Sequence, residues 1–315
     1  MSGDRPLSRQ LGVLATTWHR EALAAILRWP WLKAAEEQVT AVVDPVYDRH
    51  RDNIAVELMH GGRWAGHSLH AALSDLPIGF YAGAMVLDTL GKDVPGRGRL
   101  DPAATLSAAG IAAAAVTAAT GVTDWTVSDG EDRRVGLFHG LLNGAATVLQ
   151  AASLAARLGG QRRPAQVLGA TSMAVTAAAG YLGGHLVQGR AVMVNRVADH
   201  AGPNRWVRAV AEDELPDGAS AGVEVDGRKV LVYRDGEDVY AIDDVCSHAG
   251  ALLSRGEVRD CVVTCPLHET RFDLRDGSIL RGPAHHPQPV LVARAKNGWI
   301  EVRGSQPRRR GTSPG

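Results

Sequence analysis

The sequence predicts an α+β multidomain protein, with an N-terminal four-helix transmembrane bundle followed by a C-terminal all-β domain. Three observations carry that expectation. Long uncharged runs fill the middle of the chain: 22 residues between Asp101 and Asp124, 22 between Arg134 and Arg157, and 26 between Arg163 and Arg190. Beyond residue 204 the pattern changes to short β-branched stretches separated by Asp-Gly and Asn-Gly pairs. In that second region two of the three cysteines are spaced with histidines, as Cys246-x-His248 and, after sixteen intervening residues, Cys265-x-x-His268.

Residues 1–64 form an N-terminal helical segment, in which Leu11, Leu14, Trp18, Ala22 and Ile26 recur at helical spacing. The membrane domain follows at 65–190. A hydrocarbon core about 30 Å thick takes roughly 20 helical residues, which predicts spans at 69–91, 103–123, 136–156 and 165–187. Their small residues suit close helix packing in lipid. Ala runs are only weakly hydrophobic, so a soluble Ala-rich bundle is the alternative. The overall mean hydropathy of −0.08 and zero net charge average over this segregation. A neutral chain offers no electrostatic case for nucleic acid.

The opening stretch GHSLHAALSDLPIGFYAGAMVLD (66–88) resembles an uncharacterised bacterial membrane-domain family whose four-helix units begin Gly-His-Pro-Leu-His-Pro; both prolines are replaced here, by Ser68 and Ala71. That resemblance implies a topology and no activity. Polar groups inside the spans (His70, Asp75, Asp88, His139, Asn143 and His185) are costly in lipid and face a bundle interior or a pathway. Axial ligation of haem by two of the histidines, a quinone pocket, and plain interhelical hydrogen bonding are the competing readings. His60, His67 and His70, with Glu57 upstream, suggest a non-haem iron set. Oxygenases of that kind place it after their iron–sulfur domain, whereas these residues come before it, which argues against the oxygenase reading.

A linker at 191–203 leads to the β domain at 204–304, and a disordered basic tail follows at 305–315. Val223–Val225 and Val230–Tyr233 flank Asp226-Gly227, and Val239–Ile242 follows Asp235-Gly236. Further on, Arg271–Leu274 and Ser278–Leu280 flank Asp276-Gly277, while Val290–Ala295 and Trp299–Arg303 flank Asn297-Gly298. Such pairs suit hairpin turns that need positive φ, so at least five short strands surround two ligand loops.

Alternating Cys, His, Cys, His in two short loops is the pattern of a Rieske 2Fe–2S centre, two thiolates holding one iron and two imidazoles the other. A structural zinc site is the alternative, although zinc fingers group their ligands as two Cys and then two His. Cys261, in a regular strand 261–265, would lie about 13 Å from Cys265, so it reads as a small core residue.

The stretch from Val239 to Ala284, with DDVCSHAGALLSRGEV and TCPLHETRFDLRDGSILRGPA, closely resembles Rieske-type ferredoxin domains, the electron carriers of bacterial dioxygenase systems and nitrite-reductase small subunits. The resemblance implies one 2Fe–2S cluster per chain, on Cys246, His248, Cys265 and His268, with Gly282-Pro283 in the loop shielding it. High-potential relatives tie their ligand loops with a disulfide; Ala251 and Leu267 stand at those positions. Where those relatives place a Tyr hydroxyl near sulfur, this chain has Phe272; where they place a Ser hydroxyl it has Thr270, which can still donate. Fewer donors to sulfur imply a low potential. Glu269 stands where the family usually has Gly, and its charge pushes the same way.

The expected function is a membrane-anchored, low-potential one-electron carrier between a reductase and an acceptor, with no residue suited to substrate catalysis. The alternative is a redox-sensing membrane module whose cluster state alters partner binding. Six Lys/Arg near one face of the spans against five on the other leave orientation open. Clusters are assembled in the cytoplasm, and Arg162-Arg163-Pro164 is a poor twin-arginine signal, so the Rieske domain is expected on the cytoplasmic side of an integral membrane protein. Arg308–Arg310 would lie against anionic lipid.

Overall fold

The computed structural model describes residues 18–90, 101–200 and 202–305. Leu11, Leu14, the loop Lys92–Arg99 and the tail from 306 lie outside them. Helices among the described residues are α1 (18–27), α2 (Pro30–His50), α3 (Ile54–His60), α4 (Gly62–Ala65), α5 (Leu69–Leu73), α6 (Asp75–Leu90), α7 (Pro102–Thr126), α8 (Gly130–Leu158) and α9 (Arg162–Gly184); the last runs into a π-helical turn, His185–Gly189. The chain divides into two compact units. Of the described residues, one unit holds those up to Arg49, those within 76–118, and Ser128–Arg190; the other holds His50–Asp75, Ala119–Val127 and those from Ala191 to 305.

The first unit is helical. Helices α8 and α9 pack through small side chains, with Ala146, Ser153, Ala165, Gly169, Ser172 and Ala179 buried. Close approach lets hydroxyls reach across: Ser172 Oγ donates to the Ala146 carbonyl (2.7 Å) and Ser153 Oγ to the Ala165 carbonyl (2.6 Å). Gln150 Nε2 donates to Ser107 Oγ on α7 at 2.9 Å. Asp88 is held by a two-pronged bond from Arg157.

The first expected span, 69–91, is not one helix; it divides at Ser74 into α5 and α6. Pro77 accounts for the break, because it lacks an N–H and its ring would meet the carbonyl of Leu73 four residues back. The sixteen residues of α6 measure roughly 24 Å at 1.5 Å each, short of the hydrocarbon thickness. Among the described residues, two helices are long and apolar enough to cross a membrane, Pro102–Thr126 and Arg162–Gly189. Helix α8 has the length, with 29 residues, but opens on Glu131-Asp132-Arg133-Arg134 and carries His139, Asn143 and Gln150.

The second unit contains all the β-structure. Strands β1 (Val207–Ala211), β2 (Ser220–Val225), β3 (Arg228–Asp235), β4 (Asp238–Asp243), β9 (Val290–Lys296) and β10 (Trp299–Gly304) form an antiparallel sheet in the order β1-β10-β9-β4-β3-β2. Strands β5 (Glu257–Arg259), β6 (Val262–Thr264), β7 (Arg271–Asp273) and β8 (Ile279–Arg281) form a second sheet in sequence order. Every predicted strand is present, and β1, β5 and β6 are additional. The run Val230-Leu231-Val232-Tyr233 is buried throughout. Side chains alternate faces along a strand, so Val230 and Val232 enter one core with Ile300 and Val302, while Leu231 and Tyr233 enter another with Phe272, Cys246 and Cys265. Asp226-Gly227 and Asn297-Gly298 both have positive φ at both turn residues, as two-residue hairpins of the I′ type require.

Candidate metal centre

The two ligand loops are built alike. In the first, the Cys246 N–H donates to the Ala251 carbonyl (2.8 Å), and the Cys246 carbonyl accepts from Gly250 N–H (2.9 Å). In the second, the Cys265 N–H donates to the Thr270 carbonyl (2.8 Å), and its carbonyl accepts from Glu269 N–H (3.0 Å). The residue four after each cysteine therefore closes the loop, and in both it has positive φ: 81° at Gly250 and 57° at Glu269. Glycine adopts that conformation freely, whereas another residue is strained by about 1–2 kcal/mol. Glu269 is held there by its carboxylate, which pairs with Arg51 (2.8 Å) and Arg281 (3.5 Å). Its charge is thus compensated, and the expected lowering of the potential by Glu269 loses its force.

These loops bring Cys246, His248, Cys265 and His268 together. The two cysteine thiols hydrogen-bond to each other, and each sulfur is also met by backbone amides: His248 and Ala249 at Cys246, Leu267 and His268 at Cys265. The shared proton and burial push Cys246 up, while accepting that proton and the amides lowers Cys265 to about 6. The imidazoles stand nearly perpendicular, 77° between planes, with Nδ1 of His248 and Nδ1 of His268 only 3.1 Å apart. Two nitrogens about 2.05 Å from one tetrahedral metal lie roughly 3.3 Å apart, so this pair fits a single ion and the thiol pair fits a second. Burial, with His268, His285, His60 and Arg196 nearby, keeps His248 neutral far below the usual imidazole range. A neutral imidazole is the form that binds metal.

Sequence reasoning missed the residue that locks the first loop. Gln288 Nε2 donates to the Asp243 and Val245 carbonyls (2.8 Å each), and its Oε1 accepts from Ser247 N–H (2.8 Å). Buried Asp243 accepts from Arg228 Nε and His200 Nδ1, 2.8 Å each. Residues of the expected linker thus reach the loop, where Arg196 N–H also donates to the Ser247 carbonyl (3.0 Å). Thr270 Oγ1, expected to serve sulfur, accepts from Ala284 N–H (3.2 Å), and Phe272 is fully buried. Leu267 is 48% exposed beside half-buried His268, so that imidazole marks the solvent side of the centre.

Cys261 is not in a strand. It occupies a two-residue turn, Asp260-Cys261, with φ of 51° and 61°, joining β5 to β6. It is a core residue all the same, fully buried, its Sγ donating to Asp235 Oδ2 at 3.2 Å. Burial and that carboxylate push its pKa to about 11, from an ordinary value of 9.0. An acid raised on folding stabilises the fold below its unfolded pKa and loses that contribution as pH climbs to the folded one. Stability measured by denaturant titration is expected to fall between pH 9 and about 11, and Cys261→Ala to flatten that decline while keeping the cluster spectrum.

The polar groups expected along the spans separate. His139 Nδ1 donates to the Ala179 carbonyl (2.8 Å) and its Nε2 accepts from Asn143 Nδ2 (3.1 Å), so neither nitrogen is open to haem. His185 Nδ1 lies 3.1 Å from His19 Nε2. In the second unit, Glu57 pairs with Arg63 and His67 bonds the Ser68 carbonyl. Among the described residues, His60 joins a group able to hold a metal, and its companions are Asp124 and His285, which the sequence reading did not select.

A ten-stranded β domain carrying Cys-x-His and Cys-x-x-His loops defines a Rieske-type iron–sulfur protein. Residues 205–294 match the family model for the Rieske [2Fe-2S] domain, and residues 66–196 the model described as "Predicted membrane protein (DUF2231)". Among curated relatives, the ferredoxin component of the naphthalene 1,2-dioxygenase system of Pseudomonas aeruginosa is 38% identical over 79 residues, 25% of this chain and 76% of that protein. The 3-phenylpropionate/cinnamic acid dioxygenase ferredoxin subunit of Photorhabdus laumondii is 40% identical over 95 residues, 30% of this chain and 90% of that protein. Of solved structures, the ferredoxin of carbazole 1,9a-dioxygenase from Nocardioides aromaticivorans is 36% identical, with a TM-score of 0.31 over 32% of this chain and 98% of that one. The chain belongs to the Rieske ferredoxin family through its C-terminal domain, and that domain is a 2Fe–2S electron carrier.

Proposed function

We propose that this chain is a membrane-anchored, low-potential Rieske carrier that passes single electrons from a reductase to an acceptor, with Cys246 and Cys265 on one iron and His248 and His268 on the other. The bound cluster supplies a one-electron acceptor whose neutral imidazole ligands raise its potential above that of an all-cysteine centre. The observation that carries the reading is the pair of Nδ1 atoms 3.1 Å apart, on loops that also bring the two buried cysteines together. The backbone frame keeps these donors fixed, so little moves when the charge changes. Phe272 offers sulfur no hydroxyl, and backbone N–H groups meet both sulfurs. That supports a midpoint in the lower half of the range of about −150 to +300 mV. A redox titration followed by EPR tests it, and a midpoint above roughly +200 mV on the same scale would overturn it.

Anchoring is supported by the membrane-family match and by α7 and α9, whose most apolar windows are only 22% and 28% buried against protein. Leu90, Val148, Leu158 and Val167 are exposed on the same helical unit, at 66–77%. Apolar surface on that scale seeks lipid or a partner. The Rieske domain is assigned to the cytoplasmic side, where clusters are made. Protein that remains in the supernatant after ultracentrifugation without detergent would contradict anchoring.

Partners meet the centre at its solvent side. Exposed Leu267 beside His268 offers an apolar contact next to the imidazole. Leu267→Glu is expected to slow reduction by a ferredoxin reductase about tenfold or more, the cost of burying a charge in a contact worth at least 1.4 kcal/mol. Stopped-flow absorbance reads that rate, and the midpoint should hold within a few tens of millivolts.

A further inference from the structure

The carrier role makes no use of the most metal-like group outside the cluster. We infer that His60, Asp124 and His285 form a second metal site, for a divalent first-row ion. One donor atom from each lies within 4.8 Å of the others, and all three residues are buried, at 4%, 8% and 5% exposure. They come from three distant segments: the end of α3, the last turn of α7, and the loop after β8.

The approach is built rather than incidental. His60 is followed by Gly61 and Gly62. A Cβ on Gly62 would sit 2.4 Å from the Ala284 carbonyl oxygen, and one on Gly61, where φ is 82°, would sit 2.7 Å from the His67 carbonyl oxygen. Only glycines let this corner press against Ala284 and so set His60 beside His285.

Supporting bonds match what metal ligands require. His285 Nε2 lies 3.1 Å from the His60 carbonyl; as the donor it leaves the lone pair on Nδ1. Ligating histidines characteristically spend their other ring N–H on a backbone carbonyl in this way. One oxygen of Asp124 accepts from Ser68 Oγ, and the other lies 3.2 Å from His60 Nδ1. Donors about 2.1 Å from one metal lie roughly 3.0 Å apart at a right angle and 3.4 Å at the tetrahedral angle, so that separation suits two ligands of a common ion. Two imidazoles and one carboxylate favour a first-row ion with open positions, iron(II) above all. A carboxylate buried at the end of an apolar helix long enough to span a membrane also calls for a compensating charge.

The test uses the full chain in detergent with its cluster assembled, so that the EPR signal of the reduced cluster reports folding separately. Metal analysis against sulfide is expected to give three metal ions for every two sulfides, and anaerobic Co(II) titration of chelator-treated protein to saturate at one ion per chain with new visible bands. Asp124→Asn should lose that ion and those bands while keeping the cluster signal. Should Asp124→Asn cost the cluster as well, Ser68→Ala removes only the hydroxyl that orients the carboxylate and should weaken Co(II) binding about tenfold or more. Two metal ions per two sulfides with no Co(II) retained, or Co(II) binding unaffected by the variants, overturns the site and leaves the Rieske reading untouched.

Discussion

Replacing His248 or His268 with alanine is expected to abolish the EPR signal of the reduced cluster completely, and with it the visible absorption of the oxidised form. In the proposed ligand set each iron has two protein donors, so one imidazole lost would remove half of the protein's hold on that iron. The loss should nevertheless be local. The amide-to-carbonyl bonds that close each loop, Cys246 to Ala251 and Cys265 to Thr270, do not involve the imidazoles. The second core, with Val230, Val232, Ile300 and Val302, is built without any ligand residue. Far-UV circular dichroism should therefore retain its β signal in both variants. His248→Ala is the more damaging of the two, because His248 is buried while His268 is partly open to water. A coloured His248→Ala or His268→Ala protein with an unchanged spectrum would show that the iron is held elsewhere.

The candidate ligand loops and the hairpins are legible because their signals are local. Cys-x-His and Asp-Gly act over a few residues, and β3 announces itself through four consecutive apolar side chains. What stayed hidden depends on tertiary closure. Nothing adjacent to Gln288 marks it as the clasp of a loop forty residues earlier, and Asp124 reads simply as the charge that ends an apolar run. His285 is inconspicuous until Gly61 and Gly62 bring His60 against its loop. The broken first span could have been read: Pro77 four residues after Leu73 is a sequence signal, outweighed in the prediction by apolar length. The turn at Cys261 is not legible because its positive φ (61°) is imposed in a two-residue turn without glycine. Glu269 shows the same effect. Its left-handed backbone follows from a loop frame shared with Gly250, and its neutralising arginines come from 218 residues back and 12 ahead.

The second large effect is expected at Gln288, far from any metal-binding atom. Gln288→Leu keeps the side-chain volume and the burial but removes every polar contact. Three backbone groups then lose their partner in a dry environment: the carbonyls of Asp243 and Val245, and the N–H of Ser247. A buried polar group left unpaired costs about 1–3 kcal/mol, so a total of roughly 3 kcal/mol or more is expected, allowing for partial repair by water. The damage falls on the segment that runs from the end of β4 through Cys246 to His248. Gln288→Leu should thus reach farther than a cluster ligand does, lowering the denaturation midpoint of the β domain and leaving assembled cluster substoichiometric. Gln288→Glu separates shape from hydrogen bonding, since its carboxylate can still accept from Ser247 but cannot donate to two carbonyls. It should be at least as damaging at neutral pH and recover partly on acidification, as the protonated acid regains one donor. Equal stability of Gln288→Leu and the parent protein in urea would mean that the ligand loop is held by the metal alone and needs no clasp.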